Sequence, residues 1–274
     1  MLHRLPLLIA VPTTAGTGSE TTLAAVITDE KTHHKYPIND FSLIPHYAVL
    51  DPDVTLNLPP QLTATTGMDA LTHAVEAYIG RSTTRATRAA AVEAVRLIFA
   101  NLPEAYFNGH DREARANMLR AAYLAGTAFT KSYVGYVHAV AHSLGGRYGI
   151  AHGLANSVLL PVVLKAYGPA AWKKLAELAR AAGVSDAPGD REAAEAFIAC
   201  IEAMNAAMDI PETLPGIRSE DIPQLARYAD HEANPLYPVP VLWGPEKLAD
   251  LYKQVQEVEV HDGKGNPVHS ETAA

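Results

Sequence analysis

The feature that most limits what this chain can fold into is a change of pattern near residue 60. Residues 1–58 read as short strands and turns: an apolar strand near 6–11, a Gly-rich turn at 15–19, a second strand near 23–28 and a third at Ala48-Val49-Leu50. From Gln61 onward the apolar residues recur at helical spacing. Ala-rich amphipathic stretches fall around 64–80, 84–100, 111–131, 136–146, 153–167, 170–182, 190–208, 219–229 and 245–257. Breakers punctuate them, among others Pro59-Pro60, Gly80, Gly109, Gly145-Gly146, Gly149, Pro161, Gly168-Pro169, Gly183 and Pro188-Gly189. The predicted class is therefore mainly α-helical over residues 59–260, behind a β-rich segment at 1–58. The polar residues 261–274 read as a flexible tail.

Several partner classes drop out. A formal net charge of −8, with no block of Lys or Arg, removes the counterion-release drive of nucleic-acid binding, so no nucleic acid and no anionic membrane surface is expected. No run of 18 apolar residues supplies a spanning helix. The apolar run ending at Val11 follows a basic residue as in a signal peptide, but it is short, broken by Pro6 and lacks an A-x-A site; a buried strand is expected instead. The single cysteine, Cys200, lies in an apolar helical run and reads as a buried thiol, which excludes an intramolecular disulfide. The expected compartment is the reducing cytoplasm.

Chemistry is concentrated in the histidines. Asp69 and His73, four residues apart, share a helical face among Met68, Ala70, Leu71, Ala74 and Val75, where an uncompensated carboxylate is costly. By itself the pair also fits a helix-capping aspartate and a hydrogen-bonded core histidine. His138 and His142 share a second face, and Gly145, Gly146 and Gly149 let the chain turn back with His152. Five groups are thus candidates for one site, and spacing alone leaves open which stays off a metal. One carboxylate with three imidazoles suits Fe(II), Zn(II), Co(II) or Ni(II) rather than Ca or Mg. His3, His33, His34, His46, His110, His231, His261 and His269 read as surface residues. The turn from Pro12 to Thr22 can form an anion nest or a plain connection; it matches neither a Walker pattern nor G-x-G-x-x-G.

Taken together, three segments resemble the iron-containing (group III) alcohol dehydrogenases. They are T-T-x-G-T-G-S-E from Thr13, G-x-D-A-x-x-H-A-x-E-x-Y from Gly67, and H-x-x-x-H-x-x-G…H-G-x-x-N-x-x-x-L-P from His138 through Asn156 to Pro161. The likeness also takes in Leu50-Asp51-Pro52 and Asn234 to Pro240, and runs from about Leu5 to Val258. It implies a dehydroquinate synthase-like helical metal-binding domain. It also implies a divalent metal, Fe2+ first and Zn2+ second, on Asp69, His73, His138 and His152. His142 would relay the alcohol proton, and Thr13, Thr14, Gly16, Thr17, Gly18, Ser19 and Lys35 would surround the nicotinamide and its ribose. The implied reaction is hydride transfer between a small alcohol or aldehyde and NAD(H) or NADP(H), with the metal as Lewis acid, in a homo-oligomer.

One departure stands out. The family's cofactor domain carries a G-G-G-S-x-x-D turn that these 274 residues do not contain. Residues 1–58 are accordingly expected to be the remnant of a truncated α/β nucleotide-binding domain short of about 100–150 residues. Leu7 to Val11 would then lack parallel neighbours and form an exposed apolar edge. Two other readings stay open: a redox-silent metal-binding domain without its cofactor domain, and a glycerol dehydrogenase-like or other enzyme of the superfamily.

Overall fold

The structure, a computed structural model, describes residues 6–31 and 35–257. The expected tail at 261–274, with His261 and His269, lies outside the described residues, as do His3, His33 and His34.

Four short strands come first. β1 (Ile9–Ala10) pairs in parallel with β4 (Tyr47–Ala48), Ile9 opposite Tyr47 and Ala10 opposite Ala48. β2 (Ala24–Thr28) and β3 (Lys35–Asn39) run antiparallel, Ala24 opposite Asn39 and Thr28 opposite Lys35. Sequence reading missed β3 because Pro37 argues against a strand; an edge tolerates it, since one side of a two-stranded pair needs no N–H. β1 corrects one expectation and meets another. Leu7, Leu8, Ile9 and Val11 are 48–62% exposed, so the strand is not buried, because among the described residues only β4 pairs with it. The exposed apolar edge expected of Leu7 to Val11 is present, although β1 keeps β4 as one parallel neighbour.

Nine α-helices follow among the described residues: α1 (Pro60–Ile79), α2 (Arg85–Phe107), α3 (Arg112–Ser132), α4 (Tyr136–Tyr148), α5 (His152–Tyr167), α6 (Trp172–Ala181), α7 (Asp190–Ala207), α8 (Ile222–Ala233) and α9 (Pro245–Val255). The mainly helical class holds. α1 is the axis of the bundle: from Thr63 to Ile79 every residue but Thr66 is buried, and its Gly, Ala and Thr side chains let α2, α3 and α5 all lie close against it. Helix starts are set locally. Thr84 and Thr87 form a reciprocal capping box ahead of α2, and Asp111 caps α3 by accepting from Ala114 N at 2.9 Å. The buried Arg115 ties α3 to the start of α1 by donating to Thr63 Oγ1 at 2.7 Å.

Three details differ from expectation. α2 runs on through Pro103 to Phe107, and α5 runs through Pro161. Buried neighbours on both sides, Leu102 and Ala105 in one, Leu160 and Val163 in the other, outweigh the hydrogen bond each proline forfeits. Cys200 is half-buried rather than buried, beside Arg96 and Phe99, because it falls off the buried stripe of Ala193, Ala194, Phe197 and Ile201 on α7. His46, His110 and His231 are exposed, as expected. No single helix among the described residues is long and apolar enough to cross a membrane.

Candidate active site

Three helices deliver the chemical groups. Asp69, His73 and Glu76 fall at i, i+4 and i+7 on α1 and so share one face. His138 and His142 lie one turn apart on α4. α4 stops at Gly149, whose φ of 68° suits glycine, and α5 starts at once with His152. Gly149 alone makes that reversal. Gly145 and Gly146, expected in the turn, sit inside α4, where a glycine's cost of about 1 kcal/mol does not end a helix packed on α5 and α8.

The result is a tight polar cluster in the core. Asp69 Oδ1 lies 3.8 Å from His138 Nε2 and 3.5 Å from His152 Nε2, and Asp69 Oδ2 lies 4.0 Å from His73 Nδ1. One ligand-capable atom from each of Asp69, His73, His138 and His152 falls within 4.8 Å of the others. His142 is not in that group: its ring stacks on His152 at 5.1 Å while its Nδ1 turns away to Glu232 Oε1 at 2.7 Å. The His73 ring is clamped between Phe129 at 4.2 Å and His138 at 4.5 Å. Asn156, one turn along α5 from His152, donates to Asp69 Oδ1 at 2.6 Å and sits 3.1 Å from His152 Nε2. Asp69 is in mid-helix, so the capping alternative is set aside.

Burial dictates the charge states. It drives the imidazole of His138 well below its ordinary range and that of His152 down to about 4. It also lowers His73 against the opposing pull of Asp69. The same burial pushes Asp69 upward, but His73, His152 and the Asn156 hydrogen bond together outweigh it and hold the carboxyl below its usual value. The cluster is therefore one carboxylate among neutral imidazoles. His73 Nδ1, His152 Nδ1 and Asn156 Oδ1 are buried without a hydrogen-bond partner among the described residues. A buried anion among lone-pair-bearing nitrogens makes a donor set that fits a divalent metal of borderline softness.

Two further carboxylates orient the histidines, and sequence reading assigned neither. Glu76 accepts from Gly135 N at 2.9 Å, Val137 N at 2.8 Å and His138 Nδ1 at 2.6 Å. Burial pushes its carboxyl up to about 8, against the backbone N–H groups of Gly135, Val137 and His138. Its signal was its position seven residues after Asp69. Glu232 on α8 accepts from His142 Nδ1 and, at 2.8 Å, from Tyr237 Oη. It lies 90 residues from His142, where no local spacing could find it.

A cavity of about 460 Å³ opens beside this cluster. Asp69 and the four histidines line one part; Thr17 and Ser19 of the turn, with Lys35 of β3, line another. Leu23, Val26, Phe129 and Val134 make much of the remaining wall apolar. The turn's glycines face elsewhere. A Cβ on Gly16 would stand 2.6 Å from Thr66 of α1, and one on Gly18, at φ 61°, would stand 2.8 Å from the Cα of Gly126 in α3. They dock the turn on the helices, while Thr13, exposed, and Thr14, half-buried, lie outside the lining. Tyr133, between α3 and α4, also lines the cavity, at φ 62° and ψ 178°; a non-glycine residue there costs about 1–3 kcal/mol.

Residues 63–255 match the model of the Fe-containing alcohol dehydrogenase family, C-terminal, and residues 2–52 match that of iron-containing alcohol dehydrogenase. The 1,3-propanediol dehydrogenase of Citrobacter freundii is 42% identical over 257 residues, covering 93% of this chain and 66% of that protein. The NAD-dependent methanol dehydrogenase of Bacillus methanolicus is 41% identical over 230 residues, covering 81% of this chain and 59% of its own. A crystal structure of 1,3-propanediol oxidoreductase superposes with a TM-score of 0.88 at 39% identity, over 93% of this chain and 67% of that one. The chain thus spans about two thirds or less of the curated relatives it matches.

Proposed function

Since the chain belongs to the iron-containing alcohol dehydrogenase family, we propose that its cavity carries out hydride transfer between a small alcohol or aldehyde and a nicotinamide cofactor. The observation that carries this reading is the cluster of buried Asp69, His73 and His138 with half-buried His152, opening onto a cavity that His142 also lines. Those four residues would hold a divalent metal, Fe2+ first and Zn2+ second. When bound, the metal supplies Lewis-acid polarisation of the substrate oxygen, and the nicotinamide exchanges the hydride.

The chain's own residues do the rest. Glu76 keeps the His138 ring turned so that Nε2 faces Asp69. Glu232 accepts a hydrogen bond from the Nδ1–H of His142, which leaves Nε2 to accept the substrate hydroxyl proton or return it. Tyr237, donating to the same Glu232 oxygen, fixes that carboxylate in place. Leu23, Val26, Phe129 and Val134 exclude water from the hydride path. Thr17 and Ser19, on a turn shaped by Thr13, Thr14, Gly16 and Gly18, and Lys35 of β3 offer polar contacts to the cofactor end. The reading takes NAD(H) or NADP(H) as hydride carrier and a homo-oligomer in the cytoplasm as the working form. The NAD dependence of the methanol dehydrogenase relative favours NAD.

The test is metal content and NAD(H)-linked 1-propanol oxidation of anaerobically purified protein, beside His138→Ala. Stoichiometric metal and turnover, both lost in the variant, is the expected result. Metal without turnover or cofactor binding would overturn the dehydrogenase reading and leave a metal-binding protein.

A further inference from the structure

We propose that Tyr133 sets the upper size limit on the alcohol or aldehyde admitted to this cavity; the inference rests on the dehydrogenase reading and sharpens its substrate class to short, unbranched chains. The argument starts from the backbone. α3 ends at the buried Ser132, whose hydroxyl donates to Thr87 Oγ1 at 2.8 Å, and Tyr133 N donates back to Phe129 O at 2.7 Å. Two residues later Gly135 N donates to Glu76 at 2.9 Å, and a Cβ at 135 would stand 2.7 Å from Glu76 Oε1. The link between α3 and α4 is therefore tethered at both ends, and residue 133 is held at φ 62°, ψ 178°. Glycine adopts that conformation freely; a residue with a Cβ does not.

Tyrosine gains little elsewhere for accepting it. Its side chain is 50% exposed, so it is not a core anchor, and its hydroxyl makes no hydrogen bond among the described residues. What the ring does is line the cavity beside Phe129 and Val134. A lining residue half open to water stands at the rim, where the cavity meets solvent. The cavity of about 460 Å³ must also seat the cofactor end beside Thr17, Ser19 and Lys35, so the substrate keeps the share beside the cluster, where Phe129 stacks on His73. Tyr133, beside Phe129 and Val134, narrows the solvent end of that share.

Three variants of the full chain, reconstituted with iron(II), separate ring from backbone. Tyr133→Ala removes the ring and keeps the strained Cβ, Tyr133→Gly removes both, and Tyr133→Phe keeps both. The Ala and Gly variants should raise kcat/KM for 1-hexanol and benzyl alcohol relative to 1-propanol by about 10-fold or more, chiefly through KM, with Phe unchanged. The Gly variant alone should melt about 2–4 °C above the parent. A readout free of turnover is the shift in melting temperature induced by alkanols from 1-propanol to 1-octanol without cofactor: the parent should respond only to the short members, the Ala and Gly variants to all. An unchanged size profile in both readouts would overturn the role of Tyr133 while turnover of 1-propanol preserves the dehydrogenase reading. A widened thermal profile with no turnover of any alcohol would do the reverse.

Discussion

Between Thr63 and Ile79 the central helix α1 leaves only Thr66 unburied, whereas β1 and its flanks leave Leu7, Leu8, Ile9 and Val11 exposed, and β2–β3 does the same with Ile27 and Ile38. Both regions nonetheless build the cavity. The helices contribute every member of the Asp69–His73–His138–His152 cluster, and the strand segment contributes Thr17, Ser19, Lys35 and Pro37. The contrast teaches a division of labour. Groups that must be dry and fixed come from the body that buries itself, while the wall for recognition comes from a segment docked on that body through a few close backbone contacts.

The hardest blow to the helical half is Glu76→Ala. It strands Gly135 N, Val137 N and His138 Nδ1 in the core without an acceptor. At about 1–3 kcal/mol for each of three buried unsatisfied donors, the expected loss is about 3 kcal/mol or more in urea unfolding. Freed of its outer partner, His138 should also weaken metal binding by about 10–100-fold in chelator competition. Glu76→Gln should fall between, since one amide oxygen cannot serve three donors. Parental metal affinity in the Ala variant would mean the cluster does not depend on how α4 is pinned to α1.

How much of this was legible follows from distance along the chain. The helices were, because their apolar period is met by neighbours within a turn or two. So were Asp69 with His73 and His138 with His142, because i,i+4 on a helix is a local fact. That the four atoms within 4.8 Å are those of Asp69, His73, His138 and His152 needs the crossing of α1, α4 and α5, which spacing does not encode. Glu232 and Tyr237 are tied to His142 only through the packing of α8 on α4. β3 was hidden by Pro37, and Cys200 by a helical phase error of a single residue. Tyr133 was hidden most deeply, since nothing in Ser132-Tyr133-Val134 announces a glycine-like backbone.

A narrower cut separates the two regions at their seam. Gly18 and Gly126 touch backbone to backbone. A Cβ on Gly126 would meet Gly18 O at 3.0 Å and Gly18 Cα at 3.1 Å, besides the Thr21 side chain. Gly126→Val should cost about 1–3 kcal/mol as overpacking and push the turn off α3. Metal stoichiometry should persist, because no cluster residue lies on the turn, while the KM for the nicotinamide should rise about 10-fold as the wall shifts. Metal analysis beside cofactor titration reads both. Loss of the metal together with the turn would break the division of labour.

The smallest expected effect tests what holds the seam. Arg112 Nε of α3 donates to Asp53 Oδ1 at 2.6 Å, an ion pair that joins the strand segment to the helical body, yet both side chains are more than half exposed. Water competes for both partners, salt screens them, and holding two mobile side chains together consumes entropy, so such a pair contributes little. Asp53→Asn should therefore leave the unfolding midpoint and the cofactor KM unchanged at high salt, with at most a slight fall in midpoint at low salt. The glycine contact involves no charge, so the effect of Gly126→Val should not respond to salt at all. If salt or Asp53→Asn released the turn while Gly126→Val did not, the attachment would be electrostatic. The exposed apolar residues of β1 and β2–β3 would then flank a segment free to move with ionic strength, instead of one set rigidly by how closely two backbones approach.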